Sequence, residues 1–211
     1  MDFKNILILA PHLDDAELGC GGSIVRWLEE GRNINVAAFA TTEEILPQGM
    51  QADARRYEFL ESMTTLGVPN ENLRIYNYPV RRLSSFRQEV LEELVLLRPQ
   101  IQPDLVLVPS ANDTHQDHQV MHMEGIRAFK DISIIAYELP WNHVYFSTQG
   151  FISLEARHIE KKWLSLQAYK SQFNSRRGYF SLEFIRSLAI VRGNQIKEEF
   201  AEAFEVIRIR I

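Results

Sequence analysis

The sequence predicts an α/β protein: a Rossmann-like, mostly parallel sheet with helices on both faces. Three observations carry that expectation. Short apolar runs alternate with amphipathic helical patterns, the βαβ order that builds a parallel sheet. The runs NILILA and DLVLVPS are apolar almost throughout, as strands covered on both faces are. Polar clusters follow the strands: PHLDD the first, ATTEE the second, PSANDTHQDH the fourth. Ligands of open α/β sheets bind beyond the carboxyl ends of the strands, so these clusters should share one edge.

Residues 5–10 read as a buried strand. Residues 23–31 read as a helix closed by Gly31, and 33–42 as the second strand. Over 53–67, Tyr57, Leu60, Met63 and Leu66 recur at helical spacing, with Gly67 as the stop signal. Residues 73–78 form a short strand. Residues 84–100 form an amphipathic helix stopped near Pro99. A strand over 104–110, a helix over 118–130 and a strand over 132–140 continue the alternation. The last third reads as helices over 155–173 and 181–193, then an alternating strand, VIRIRI, over 206–211. No repeat or linker divides the chain, so a single domain over 1–211 is expected.

With 211 residues, 45% hydrophobic and 24% charged, the chain can bury a core without staples. Its single cysteine, Cys20, excludes an internal disulfide. The N-terminus lacks the long apolar run of a signal peptide, and no run approaches the ~20 apolar residues of a membrane span. A net charge of -5 argues against a general nucleic-acid binder. These features predict a cytoplasmic location, no nucleic-acid partner and no membrane span. A homo-oligomer is compatible with the sequence.

In APHLDDAELGCGGSI (10–24), His12 and Asp15 at i, i+3 can face one point after a tight turn, and Asp14 then lies beside them. Imidazole plus carboxylate is a partial zinc ligand set. A spare carboxylate is what a hydrolytic site needs to take a proton from water. The competing reading makes Asp14 or Asp15 a helix cap. The glycines offer a second alternative, a dinucleotide loop with Glu43 as the ribose acid. However, Gly19, Gly21 and Gly22 give G-x-G-G, and carboxylates would crowd a pyrophosphate. Close helix packing is the better account of these glycines.

In NDTHQDH (112–118), His115 and His118 are again i, i+3, and Asp117 between them can orient a ring nitrogen. A solvated polar loop is the alternative. His122 stands at i+4 from His118, but the glutamate of an HExxH motif is missing, so His122 is expected to be a helix residue and not a ligand. After the fifth strand, Trp141, His143 and Tyr145 could line a sugar pocket. RRGYF (176–180) could meet an anionic group.

PHLDDAELGCGG and HQDH together resemble the signatures of the LmbE-like, or PIG-L, zinc-dependent N-deacetylases. DARRYEFLESMTTLGV, KKWLSLQAYKSQF and the closing AEAFEVIR are similar to further parts of that family. Leu13 and Gln116 replace its prolines, and Ala16 its glutamate, with Glu17 following. The resemblance implies that His12, Asp15 and His118 bind one Zn²⁺ per chain, a set that also takes Fe²⁺ or Co²⁺. It implies Asp14 as general base and His115 as the group that stabilises the oxyanion, with Asp117 orienting His115. The proton on the departing amine would come from Asp14 or His115. Arg55, with Arg56 as alternative, is similar to the family's active-site arginine. The activity implied is removal of an acetyl group from an N-acetylated amino sugar or glycoconjugate, a small-molecule substrate. The reading from another class is a non-catalytic nucleotide- or sugar-binding protein.

Overall fold

The computed structural model describes residues 3–42, 53–173 and 177–210. Seven strands form one mixed sheet. In chain order they are β1 (Asn5–Ala10), β2 (Asn33–Thr42), β3 (Leu73–Pro79), β4 (Leu105–Pro109), β5 (Ser133–Tyr137), β6 (Gly150–Leu154) and β7 (Phe200–Arg208). Their order across the sheet is β3-β2-β1-β4-β5-β7-β6. The first five are parallel, and β7 runs antiparallel between β5 and β6.

The helices are α1 (Asp15–Glu29), α2 (Ala54–Leu66), α3 (Arg87–Ile101), α4 (Gln116–Ala128), α5 (Ala156–Leu166), α6 (Lys170–Phe173) and α7 (Leu182–Asn194). The alternation of side chains along β1 divides the core in two. Ile6, Ile8 and Ala10 face α1, α2, α5 and α7, whereas Leu7 and Leu9 face α3 and α4. That is the two-faced coverage the apolar strands predicted. Gly67 ends α2 in the left-handed conformation, φ 99°.

Three expectations need correction. Helix α1 starts at Asp15, not at 23, so the glycines lie inside a helix and not in a turn. A Cβ on Gly19 would come 2.4 Å from Tyr137 Cδ2, and one on Gly22 would come 2.6 Å from Leu154 Cδ1. The glycines therefore serve close approach of α1 to the sheet. The helix kinks at Cys20 (φ -147°), and past the kink Glu202 accepts hydrogen bonds from the Gly22 and Ser23 backbone N–H groups. Second, the last strand runs over Phe200–Arg208, earlier than 206–211, and buries Glu202 and Glu205. Those buried carboxylates hid its apolar face. Third, β6 had no strand signal in the sequence, and the helix expected over 155–173 breaks into α5 and α6.

Strands β1 and β4 are neighbours although far apart in sequence. From β1 the chain winds outward to β2 and β3, then crosses back to β4, so β1 and β4 flank the topological switch point of the sheet. Crevices for ligands open there. PHLDD leaves β1 and NDTHQDH leads from β4, which brings both motifs to that one crevice.

Candidate active site

Two of the imidazoles, His12 and His118, are each aimed by a carboxylate. His12 Nε2 is 3.0 Å from Asp117 Oδ2, and His118 Nδ1 is 2.7 Å from Asp113 Oδ2. Carboxylates accept hydrogen bonds, so in the neutral rings these nitrogens carry the protons. The opposite nitrogens, His12 Nδ1 and His118 Nε2, then present lone pairs. They lie 3.1 Å apart, and Asp15 Oδ2 lies 3.1 Å from the first and 3.2 Å from the second. Three acceptor atoms thus converge on one point, an arrangement that requires a positive charge among them.

The triangle fits a cation. Bonds of about 2.0–2.1 Å at tetrahedral angles put ligand atoms about 3.3–3.4 Å apart, within a few tenths of an ångström of the observed edges. Burial pulls the pKa of His12 down, but the Asp15 charge and the Asp117 hydrogen bond outweigh it and raise the group to about 9. His118 rises to about 10 against the same burial, through Asp15 and Asp113. Burial opposes ionisation of Asp15, yet the two histidines hold its carboxyl well below the ordinary range. The cluster therefore favours a positive charge at its centre. His115 is the third histidine of a looser group, whose ligand atoms lie within 4.8 Å of one another.

Asp14 is half-buried and makes no cap hydrogen bond with α1, so it is not spent on the helix. Burial first, then the neighbouring Asp15 charge, raises its pKa, with His12, Arg55 and Arg177 opposing. His115 is the N-cap of α4, where its Nδ1 accepts the Asp117 backbone N–H at 3.2 Å. Its Nε2 is therefore the protonated nitrogen of the neutral ring. Burial, then the charges of His12 and His118, depresses its pKa to about 4.

The sequence expectation that Asp117 orients His115 fits the Asp117 backbone N–H, which donates to His115 Nδ1, but not its carboxylate. The carboxylate instead bonds His12 Nε2, and it is held by the backbone N–H groups of Arg81 (2.6 Å) and Leu83 (3.0 Å). Arg81 adopts φ 67° in the loop after β3, a conformation costly for a non-glycine residue and one found at functional sites. Asp113 was missed. Its place five residues before His118, at a strand end, was the available signal.

Among the outer residues, Arg55 is half-buried and its charge acts on Asp14, whereas Arg56 is exposed. Trp141 stacks on Tyr179 (centroids 3.9 Å, planes 9° apart). Tyr145 is exposed. His143 does not reach the crevice mouth: its side chain is 4% exposed and packs behind Asp113. Direct substrate contact by His143 is thereby corrected. His122 lies in α4, as expected of a helix residue, and its Nδ1 donates to Pro109 O (2.7 Å). Glu43 and Arg176 lie outside the described residues.

Fold and site define a Rossmann-like α/β protein with a His/Asp/His cluster at the switch point of its sheet. The chain belongs to the PIG-L (LmbE-like) family of deacetylases: the family model described as GlcNAc-PI de-N-acetylase matches residues 7–129, a span holding both motifs. The uncharacterized deacetylase YaiS of Escherichia coli K12 is 28% identical over 175 residues, 80% of this chain and 91% of that protein. The N,N'-diacetylchitobiose deacetylase of Pyrococcus horikoshii superposes with a TM-score of 0.78 at 24% identity, covering 98% of this chain and 84% of that one. The 4-carboxy-2-hydroxymuconate hydratase GalB of Pseudomonas putida KT2440 superposes nearly as well, with a TM-score of 0.77 at 19% identity over 99% and 98% of the two chains. The same fold therefore carries a different reaction, and chemistry has to be argued from the site.

Proposed function

We propose that the protein is a zinc-dependent N-deacetylase that removes the acetyl group from an N-acetylated amino sugar or glycoconjugate of the N-acetylglucosamine type. One observation carries this reading: three acceptor atoms, His12 Nδ1, Asp15 Oδ2 and His118 Nε2, converge at 3.1–3.2 Å beside a carboxylate that has no cap to make. Membership of a deacetylase family, and the printed activity of the chitobiose deacetylase, support the choice of an acetamido sugar.

A divalent cation held by His12, Asp15 and His118 would supply Lewis-acid polarisation of the acetamide carbonyl and a lowered pKa for water. Asp14 accepts a proton from the attacking water. Its raised pKa makes it a stronger base than an exposed aspartate. His115, neutral and protonated at Nε2, donates a hydrogen bond to the oxyanion of the tetrahedral intermediate. The proton on Asp14 passes to the departing nitrogen as the C–N bond breaks, leaving acetate and a free amine. Asp117 and Asp113 fix the rings of His12 and His118. Arg55 and the Trp141–Tyr179 pair are the proposed substrate wall, a cation and an aromatic face suited to a sugar.

The test is metal content of the purified chain, followed by acetate release from N-acetylglucosamine conjugates with and without chelator. About one zinc per chain and chelator-sensitive acetate release are expected. Chelator-insensitive ligand binding with no acetate formed would replace this reading with that of a non-catalytic sugar- or nucleotide-binding protein.

A further inference from the structure

His143 has a burial that the proposed mechanism does not use. Its side chain is 4% exposed, and neither ring nitrogen has a hydrogen-bond partner among the described residues. A buried polar group left unpaired is destabilising, and a leucine would fill such a place without that cost. The ring stacks on Phe146 (centroids 5.2 Å, planes 10° apart), which fixes its plane. In that plane Nε2 lies 3.7 Å from Asp113 Oδ2. That separation is too long for a hydrogen bond, and a shift of less than about 1 Å would make one.

Asp113 is the carboxylate that aims His118. Its Oδ2 meets His118 Nδ1 at 2.7 Å and the Asn142 side-chain amide at 3.4 Å, and its Oδ1 accepts the His115 backbone N–H at 2.8 Å. The two loops are tied together. Asp113 and His143 form an isolated antiparallel bridge, and Thr114 donates to Asn142 O from both its backbone N (3.1 Å) and its Oγ1 (2.9 Å). The backbone therefore delivers the His143 ring to Asp113 and to no other described carboxylate within 4 Å. Burial lowers the pKa of His143, and a neutral ring has one N–H to offer.

We propose that His143 is a positioning residue: its Nε2–H closes on Asp113 Oδ2 and fixes the carboxylate that holds His118 in its metal-binding orientation. This rests on the reading of His118 as a metal ligand. Without that third donor, the Oδ2 side of Asp113 is held by His118 itself and by one long amide contact, so the pair can swing together. Groups that hydrogen-bond a metal ligand directly typically change affinity by about 10–100-fold, and His143 acts one bond further out, through Asp113.

Zinc affinity of the full chain, measured by competition with a chromophoric chelator, tests the inference. His143→Leu should bind zinc about 10-fold more weakly than the parent, the lower end of the range for direct partners. His143→Gln, whose amide nitrogen falls near the Nε2 position, should restore most of that loss. His143→Asn, whose amide falls near Nδ1 instead, should not. Thermal melts of the metal-free forms should show all three folded, and the Asn variant provides the loss result if the Leu variant does not fold. Parent-like zinc affinity in His143→Leu, with or without a raised KM, overturns the inference and leaves the deacetylase reading intact. Equal loss in the Leu and Gln variants overturns it as well, because ring packing and not the donor would then matter. An unmodified chain that binds no zinc overturns the site reading and this inference together, and that result is visible before any variant is made.

Discussion

Helix α1 meets buried polar groups at two places. Past its kink, Glu202 accepts from Gly22 N, Ser23 N, Ser23 Oγ and Lys162 Nζ, at 2.6–3.0 Å, while Lys162 also donates to Leu18 O at 2.8 Å. Donors and acceptors match there, and the cluster is closed on itself. At the N-terminal end of the same helix, His12 Nδ1, Asp15 Oδ2 and His118 Nε2 are three acceptors facing one another. The first cluster holds the fold together. The second has acceptors in surplus, so its stability is tied to what it binds. Buried charge alone does not distinguish the two, but the balance of donors and acceptors does.

The largest expected effect separates chemistry from both clusters. Asp14→Ala should retain zinc and the parent Tm but lose about 10²–10⁴-fold in kcat, the usual weight of a general base. Elemental analysis and acetate release measure the two halves, and retained turnover would remove Asp14 from its role. Next, Lys162→Met should break the closed cluster by leaving Glu202 buried without its cation. The pair is 6% and 7% exposed, so unfolding in urea should show a loss of about 3–5 kcal/mol with zinc content unchanged. A loss of metal in that variant would mean that the clusters are not independent.

A smaller effect tests the helix that links them. Gly19→Ala would place a methyl group 2.4 Å from Tyr137 Cδ2, and α1 or the tyrosine would have to shift. Overpacking of this kind costs about 1–3 kcal/mol, again read from urea unfolding. Tyr137 donates to Leu9 O at the end of β1, so a fall in zinc affinity should accompany the loss of stability. The smallest effect lies outside both clusters. Arg157 and His158 hold the Glu29 carboxyl down at about 2. A depressed carboxylate stabilises the fold above its ordinary pKa of 4.5 and loses that contribution as pH falls through about 2. Glu29 is largely exposed, so Glu29→Gln should lower stability by less than about 1 kcal/mol at pH 6, with the difference from the parent shrinking to nothing near pH 2.

The two clusters also differ in how they appear in the sequence. PHLDD and HQDH are compact, polar and follow apolar strands, so the residues of the open cluster are visible in a one-dimensional reading. The parts that aim them are not. Asp113 meets His143 across a bridge 30 residues apart in the chain, and Asp117 is clamped by backbone N–H groups of a loop 36 residues earlier. Neither contact leaves a local pattern, so the sequence shows neither that the Asp117 carboxylate bonds His12 nor that the His143 ring lies against Asp113. The closed cluster was invisible for a related reason. Glu202 lies 179 residues from Ser23, and a glutamate inside a strand reads as a break in the strand until its partners are known. The sequence pattern found β1, β2, β3, β4 and β5. It missed β6, a short Gly150–Leu154 segment, and the start of β7, where the buried Glu202 and Glu205 replace apolar residues.

X-ray absorption at the zinc edge tests the open cluster most directly. The account predicts about one zinc per chain in a four-coordinate nitrogen and oxygen shell near 2.0–2.1 Å, with two imidazoles, and loss of the ion in His118→Ala. A shell with three imidazoles would make His115 a ligand and remove it from the oxyanion, and a His118→Ala protein that keeps its zinc would contradict the site altogether.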